Sequence, residues 1–116
     1  MKYVLFVDDI RHPNYVLTPE MLASYSHDGI IVVWVTTKAQ AQWYVETFGM
    51  PVLMLLDHDL GIVNGKEETV MEFLNWIERS DRLTTIVPEY RIHSDNSVGR
   101  LNIKSFFDTW HKWTKL

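Results

Sequence analysis

Three short polar motifs in this sequence each follow directly after an apolar run. They are Val7-Asp8-Asp9-Ile10-Arg11, Leu56-Asp57-His58-Asp59-Leu60-Gly61 and Ile92-His93-Ser94-Asp95-Asn96. The first two runs, Tyr3–Val7 and Val52–Leu56, show no polar alternation, which is typical of strands covered on both faces. If the three runs form neighbouring parallel strands, their polar ends open on one edge of a sheet. Open α/β sheets bind their ligands at that edge.

The rest of the chain predicts strands and helices in alternation. Predicted strands cover Tyr3–Val7, Ile30–Val35, Val52–Leu56 and Tyr90–Ile92. The first predicted helix covers Pro19–Tyr25, and the second begins at a cap formed by Thr36 or Thr37 and ends at Gly49. The third covers Lys66–Arg79, and the last begins at about Val98. Four successive strand-helix units require parallel strands with right-handed crossovers. We therefore expect an α/β three-layer sandwich of flavodoxin-like or receiver-like type, with strand order 2-1-3-4.

Composition limits the classes of protein that this chain can belong to. With 116 residues and 47% hydrophobic content, we expect a single domain over residues 1–116. The net charge of −4 argues against a broad basic surface for nucleic acid, although a local basic pocket stays possible. The chain contains no cysteine, which excludes disulfides and thiolate metal sites. No stretch approaches the roughly 20 apolar residues of a membrane span, so we expect a cytoplasmic protein.

The aspartates of the first two motifs are candidate metal ligands. In the predicted strand order the first and third strands are neighbours, so Asp8, Asp9 and Asp57 should converge. Converging carboxylates repel one another unless they bind a divalent cation, take up a proton or pair with an Arg or Lys side chain. Oxygen ligands without cysteine favour Mg²⁺ or Mn²⁺. The alternative interpretation is that Asp8 and Asp57 only cap the segments that follow their strands.

The remaining polar residues of the motifs suggest proton transfer and phosphate binding. His93 lies at a strand end, where it can exchange a proton with a phosphoester, and Asp57, His58 and Asp59 are further catalytic candidates. His58 can equally be a packed residue with one ring nitrogen bonded to a carbonyl, and His93 can be a structural histidine. The predicted phosphate-binding residues are Arg11, Ser94 and Asn96.

These motifs resemble the receiver domain of response regulators. The resemblance rests on Asp8 and Asp9 after the first strand, Asp57 after the third, Gly65 eight residues later, and the hydroxyl of Ser94. It implies that the three aspartates and the backbone carbonyl of Asp59 bind Mg²⁺. It also implies that Asp57 accepts a phosphoryl group.

The chain departs from receivers in ways that point to a derived family. Receivers carry an essential lysine on a fifth strand, but no such strand is predicted here, and Lys104, Lys112 and Lys115 lie on or after the last helix. The full set of motifs is instead similar to the cyclic-phosphate-processing receiver-like domains: Asp8-Asp9-x-Arg11-x-Pro13, Asp57-His58-Asp59-Leu60-Gly61 and His93-Ser94-x-Asn96-x-x-Gly99-x-x-Asn102. This resemblance implies action on cyclic-phosphate or related phosphoester ends.

Three functions remain as hypotheses. The first is a metal-assisted phosphoesterase acting on a phosphate-containing small molecule or an RNA end. The second is a degenerate receiver that is phosphorylated on Asp57, and the third is a module that binds a nucleotide or a partner protein without turnover.

Overall fold

A parallel four-stranded sheet forms the centre of the fold. The computed structural model describes residues 1–115. In chain order the strands are β1 (Tyr3–Val7), β2 (Ile31–Val35), β3 (Leu53–Leu56), β4 (Asp59–Val63), β5 (Lys66–Thr69) and β6 (Glu89–Ile92), and the helices are α1 (Pro19–His27), α2 (Lys38–Phe48), α3 (Val70–Arg79) and α4 (Ser97–Trp113). The sheet has the order β2-β1-β3-β6, while β4 and β5 pair separately.

This topology confirms the α/β fold and the strand order expected from the sequence. All pairs within the four-stranded sheet are parallel, and β6 is the fourth strand of the predicted 2-1-3-4 order. In residues 1–115 the parallel sheet has four strands and no fifth. The same part of the chain has no helix that is both long and apolar enough to cross a membrane.

The two faces of the sheet pack against different layers. Tyr3, Leu5 and Val7 point into a core shared with α2, α3 and α4. The alternate residues Val4 and Phe6 pack on the other face, in a smaller core that partly buried side chains of α1 complete. β1 is fully buried along its whole length because both of its faces are covered.

The segment between β3 and α3 differs from the prediction. The sequence pattern predicted a loop followed by a helix over Lys66–Arg79, but β4 and β5 form an antiparallel hairpin and the helix begins only at Val70. Asn64 and Gly65 both have positive φ, at 53° and 78°. An Asn-Gly pair with two positive φ angles is the preferred turn of a tight hairpin, and this signal outweighed the helical pattern.

The hairpin is held to the rest of the fold by specific contacts. A two-stranded sheet is marginally stable by itself. Leu60 of β4 is buried in the larger core, and Glu68 of β5 accepts a hydrogen bond from the backbone N–H of Lys38 at 2.6 Å. The hairpin therefore has a fixed position beside the carboxyl end of β3.

The first turn of α4 packs directly on His58. Asn96 caps this helix by accepting a hydrogen bond from the N–H of Gly99 at 2.9 Å. A Cβ atom on Gly99 would lie 2.7 and 2.8 Å from the Cδ2 and Nδ1 atoms of the His58 ring. His58 and Gly99 are both buried, so the glycine provides the space for the imidazole.

We predict that Gly99→Ala destabilises the protein although alanine is the better helix former. Overpacking of a buried contact costs about 1–3 kcal/mol, which exceeds the gain of about 1 kcal/mol in helix propensity. Urea unfolding measures the change. Ser105→Ala, an exposed position of the same helix, serves as the control and should leave stability unchanged or slightly raised. A Gly99→Ala protein as stable as the wild type would contradict the packing described here.

Candidate functional site

The polar motifs come together at the carboxyl edge of the parallel sheet. Val7 pairs with Leu56, and Leu56 pairs with Ile92, so the residues that follow these three positions start from adjacent points. The backbone continues the ladder for one further residue, because the N–H of Asp57 donates to Val7 at 2.9 Å and the N–H of His93 donates to Leu56 at 3.0 Å. The convergence predicted from the sequence is thus present.

Three carboxylates meet at this edge, and we call them the acidic cluster. Each of Asp8, Asp9 and Asp57 offers an oxygen within 4.8 Å of the other two. Asp8 is completely buried, and its Oδ1 accepts hydrogen bonds from the N–H groups of Ile10 at 2.9 Å and Arg11 at 2.8 Å. Its Oδ2 is buried and has no aligned hydrogen-bond partner among the described residues.

The electrostatics of the acidic cluster fit a divalent cation. Burial, followed by the repulsion of Asp8, raises the pKa of Asp57 to about 6, against a partial opposing effect of Arg11. Burial also raises the pKa of Asp9, and the charges of Asp8 and Asp59 add to the effect. A buried oxygen without an aligned hydrogen bond, beside two carboxylates of raised pKa, makes a set of hard oxygen donors that suits Mg²⁺ or Mn²⁺.

Arg11 connects the first motif to the third. Its Nη1 donates to the backbone oxygen of His93 at 2.6 Å and lies 3.8 Å from Oδ2 of Asp8. Its Nη2 reaches the carboxylate of Asp95 at 3.4 Å. The guanidinium therefore stands at the border of the acidic cluster with part of its hydrogen-bonding capacity already used.

His93 lies against the acidic cluster in a mostly buried position. Its ring stacks on Phe6 with centroids 4.9 Å apart, and its Nε2 is 3.1 Å from Oδ2 of Asp8 without forming an aligned hydrogen bond. Burial lowers the pKa of His93; Asp8 opposes this effect and Arg11 adds to it. Burial thus favours the neutral form of the imidazole.

His58 and Asp59 form a separate group with Asn96. Nδ1 of His58 lies 3.0 Å from Oδ1 of Asp59, and Nδ2 of Asn96 donates to Oδ2 of the same carboxylate at 3.3 Å. The hydrogen bond with His58 lowers the pKa of Asp59. Neither His58 nor Asp59 contributes an oxygen or nitrogen to the acidic cluster found among residues 1–115, so their placement favours a positioning role.

The predicted phosphate-binding residues Ser94 and Asn96 shape the start of α4. Ser94 is buried, and its Oγ accepts a hydrogen bond from the N–H of Asn96 at 3.2 Å. Arg100 donates to the backbone oxygen of Ser94 at 3.2 Å. Ser94 and Asn96 follow His93 in the sequence, and Arg11 bonds to His93 and to Asp95 between them. Their contact with phosphate stays a prediction.

Two residues near the acidic cluster were not among the predicted site residues. The indole Nε1 of Trp34 donates to the backbone oxygen of Asp8 at 2.8 Å. A Cβ atom on Gly61 would come within 2.9 Å of Oδ2 of Asp9. Trp34 lies near the end of β2, which is paired with β1. Because the ends of parallel strands meet at one edge of a sheet, its place near Asp8 could have been predicted from the sequence. The role of Gly61 depends on the hairpin.

A comparison with protein-family models identifies the chain. The model of the cyclic-phosphate processing receiver domain matches residues 3–109. The chain belongs to this family. The family is linked to cyclic-phosphate processing, and the match covers the acidic cluster, His93 and most of α4.

Other comparisons add information on the fold alone. One similar solved structure is a fusion of the yeast Spc42 trimeric coiled coil, amino acids 181–211, to another protein, with a TM-score of 0.58 and 18% sequence identity. The alignment covers 90% of this chain and 60% of that one, so this chain spans less than two thirds of the length of the fusion. A comparison with curated protein sequences gave no match.

The repulsion within the acidic cluster predicts a pH-dependent stability of the metal-free protein. The folded-state pKa of Asp57 is about 6, above its ordinary value of 3.8. Stabilisation by its proton is therefore complete below 3.8 and is lost as pH rises through about 6. Asp57→Asn should raise the unfolding temperature in excess chelator by a few degrees at about pH 8, and by less at about pH 5.

Thermal unfolding followed by circular dichroism at both pH values measures this difference. Asp108→Asn is the matched control, because Lys104 lies 2.8 Å from Asp108 and lowers the pKa of that carboxyl. The control variant should not gain stability at high pH. An Asp57→Asn protein less stable than the wild type at about pH 8 would show that Asp57 is not held in an unfavourable charged state.

Proposed function

We propose that this chain is a metal-assisted protein that hydrolyses cyclic phosphate esters of nucleotides or of RNA ends. The observation that carries the proposal is the acidic cluster, in which three carboxylates lie within 4.8 Å of one another and one buried oxygen of Asp8 has no aligned partner among the described residues. His93 and Arg11 border the cluster. Membership in a family linked to cyclic-phosphate processing agrees with this combination.

Asp8, Asp9 and Asp57 would hold the cation, with the backbone carbonyl of Asp59 as a further oxygen donor. Bound Mg²⁺ or Mn²⁺ would supply positive charge that stabilises negative charge on a phosphoryl oxygen. The hydrogen bonds from the Ile10 and Arg11 amides fix one oxygen of Asp8. The side chain is thereby oriented before any ligand binds.

The other residues of the site would bind the phosphate and move the proton. Arg11 retains N–H groups beyond those bonded to His93 and Asp95, and these can donate to a phosphate oxygen. Ser94 can donate its hydroxyl proton, since its oxygen already accepts from Asn96. His58 and Asn96 would act as positioning residues, because both contact Asp59.

The reaction can be written with His93 as the proton carrier. Water attacks phosphorus, a P–O bond to the ribose breaks, and a ring nitrogen of His93, buried in this structure, would turn towards the site to accept the proton of the water. The same nitrogen then returns that proton to the released ribose oxygen, so the product is a phosphomonoester. Burial lowers the pKa of His93, which favours the neutral form that this first step needs.

The proposal predicts cation-dependent hydrolysis of 2′,3′-cyclic AMP to an adenosine monophosphate. Asp57→Asn should lower turnover on the order of 100-fold or more, since the variant loses one ligand charge. His93→Gln should lower turnover about 10²- to 10⁴-fold while cation affinity is retained. Chromatographic separation of the nucleotides measures turnover, and calorimetry with Mn²⁺ measures cation binding.

Two exposed residues of α4 provide matched controls, Asp108→Asn and His111→Gln. Both variants should turn over at the wild-type rate. Equal product formation by wild type and Asp57→Asn would contradict the proposal. A stable acyl phosphate on Asp57 after treatment with acetyl phosphate, without hydrolysis of the cyclic nucleotide, would instead favour the receiver hypothesis.

A further inference from the structure

A small aromatic cavity lies at the outer edge of the sheet, next to the acidic cluster. It has a volume of about 290 Å³ and is lined by Trp34 and Val35 of β2 and by Gln40, Trp43 and Tyr44 of α2. None of these residues takes part in the reaction described above. The cavity is therefore a feature that the proposed function does not yet explain.

Two hydrogen bonds to the backbone of Asp8 connect this cavity to the acidic cluster. Trp34, which forms one wall, donates its indole N–H to the backbone oxygen of Asp8 at 2.8 Å. The backbone oxygen of Val35, which also lines the cavity, accepts a hydrogen bond from the backbone N–H of Asp8 at 3.1 Å. The cavity and the proposed phosphate site thus share the peptide groups of one residue.

Two of the three aromatic rings of the cavity are exposed. The relative exposure of Trp34 is 41% and that of Trp43 is 54%. The ring of His12 meets Trp34 at an interplanar angle of 71° with centroids 5.2 Å apart, and Trp43 meets Tyr44 at 89° and 5.0 Å. Exposed aromatic faces beside a polar site mark a place where a planar ligand can stack.

A polar group in the cavity wall adds hydrogen-bonding capacity. Oε1 of Gln40 accepts a hydrogen bond from the N–H of Thr36 at 2.8 Å. This bond fixes the side chain and leaves the amide NH₂ to donate to a ligand. Aromatic walls with one fixed amide are the usual elements of nucleobase recognition.

We propose that this cavity binds the base of the nucleotide whose phosphate contacts the acidic cluster. The inference rests on the proposed function, since it assigns the base of that same substrate. In a 2′,3′-cyclic nucleotide the base and the cyclic phosphate are attached to one ribose, so their binding sites must be neighbours. The chain has a net charge of −4 and lacks the excess charge of a broad basic surface, so stacking would add affinity to that of the phosphate contacts.

The test compares a nucleotide with a phosphate that lacks a base. Calorimetry with Mn²⁺ present gives dissociation constants for adenosine 3′-monophosphate and glycerol 2-phosphate, and the wild type should prefer the nucleotide. Trp43→Leu should reduce this preference about 5- to 100-fold, the usual contribution of stacking on an aromatic side chain. Trp34→Leu should act in the same direction, but it also removes the bond to Asp8.

A matched control and a second measurement separate stacking from general effects. The side chain of Trp113 in α4 is 43% exposed, an exposed fraction similar to that of Trp34. Trp113 does not line the cavity. Trp113→Leu should leave the preference unchanged. In ¹H–¹⁵N spectra, adenosine alone should shift the indole signals of Trp34 and Trp43 but not that of Trp113.

The outcomes distinguish this inference from the proposed function. Equal affinity for both phosphates, with unshifted indole signals, would overturn the base site and leave the phosphate site standing. Indole shifts with adenosine, without any gain in affinity from the phosphate, would support the base site and contradict the proposed function. Failure of all three ligands to bind would overturn both. Shifts of Trp34 and Trp43 that depend only on protein concentration would assign this surface to self-association and overturn the base site.

Discussion

The mutual repulsion of three aspartates is the constraint on which the functional edge of this protein depends. Asp8 cannot turn away from the other two, because two backbone N–H groups hold its Oδ1. Arg11 compensates only in part, since its Nη1 donates to His93 and lies 3.8 Å from Asp8. Burial, together with the uncompensated charge of Asp8, raises the pKa of Asp57 to about 6. A divalent cation would remove this repulsion, which is the physical basis of the metal site proposed above.

Much of this arrangement could be predicted from the sequence because it follows from local patterns. The apolar runs that became β1 and β3 are buried on both faces, which left a parallel sheet as the consistent solution. Once those strands are neighbours, Asp8 and Asp57 must lie at the same edge. The position of His93 follows from the pairing of β6 with β3 by the same reasoning.

The remaining features depend on contacts that a linear pattern does not encode. The acidic residues Glu67 and Glu68 suggested the first turn of a helix, but the Asn64-Gly65 turn made them part of a strand. The contact between Gly61 and Asp9 exists only because that hairpin folds over the cluster. Likewise, the bond from Trp34 to Asp8 joins residues 26 positions apart.

A crystal structure with Mn²⁺ tests the central claim most directly. Anomalous scattering locates the ion independently of any assumption about its ligands. The account predicts one strong peak bonded to carboxylate oxygens of Asp8, Asp9 and Asp57, at about 2.0–2.6 Å as expected for oxygen ligands of divalent cations. An acidic cluster without a peak at a saturating Mn²⁺ concentration, or with a peak bonded only to other residues, would contradict it.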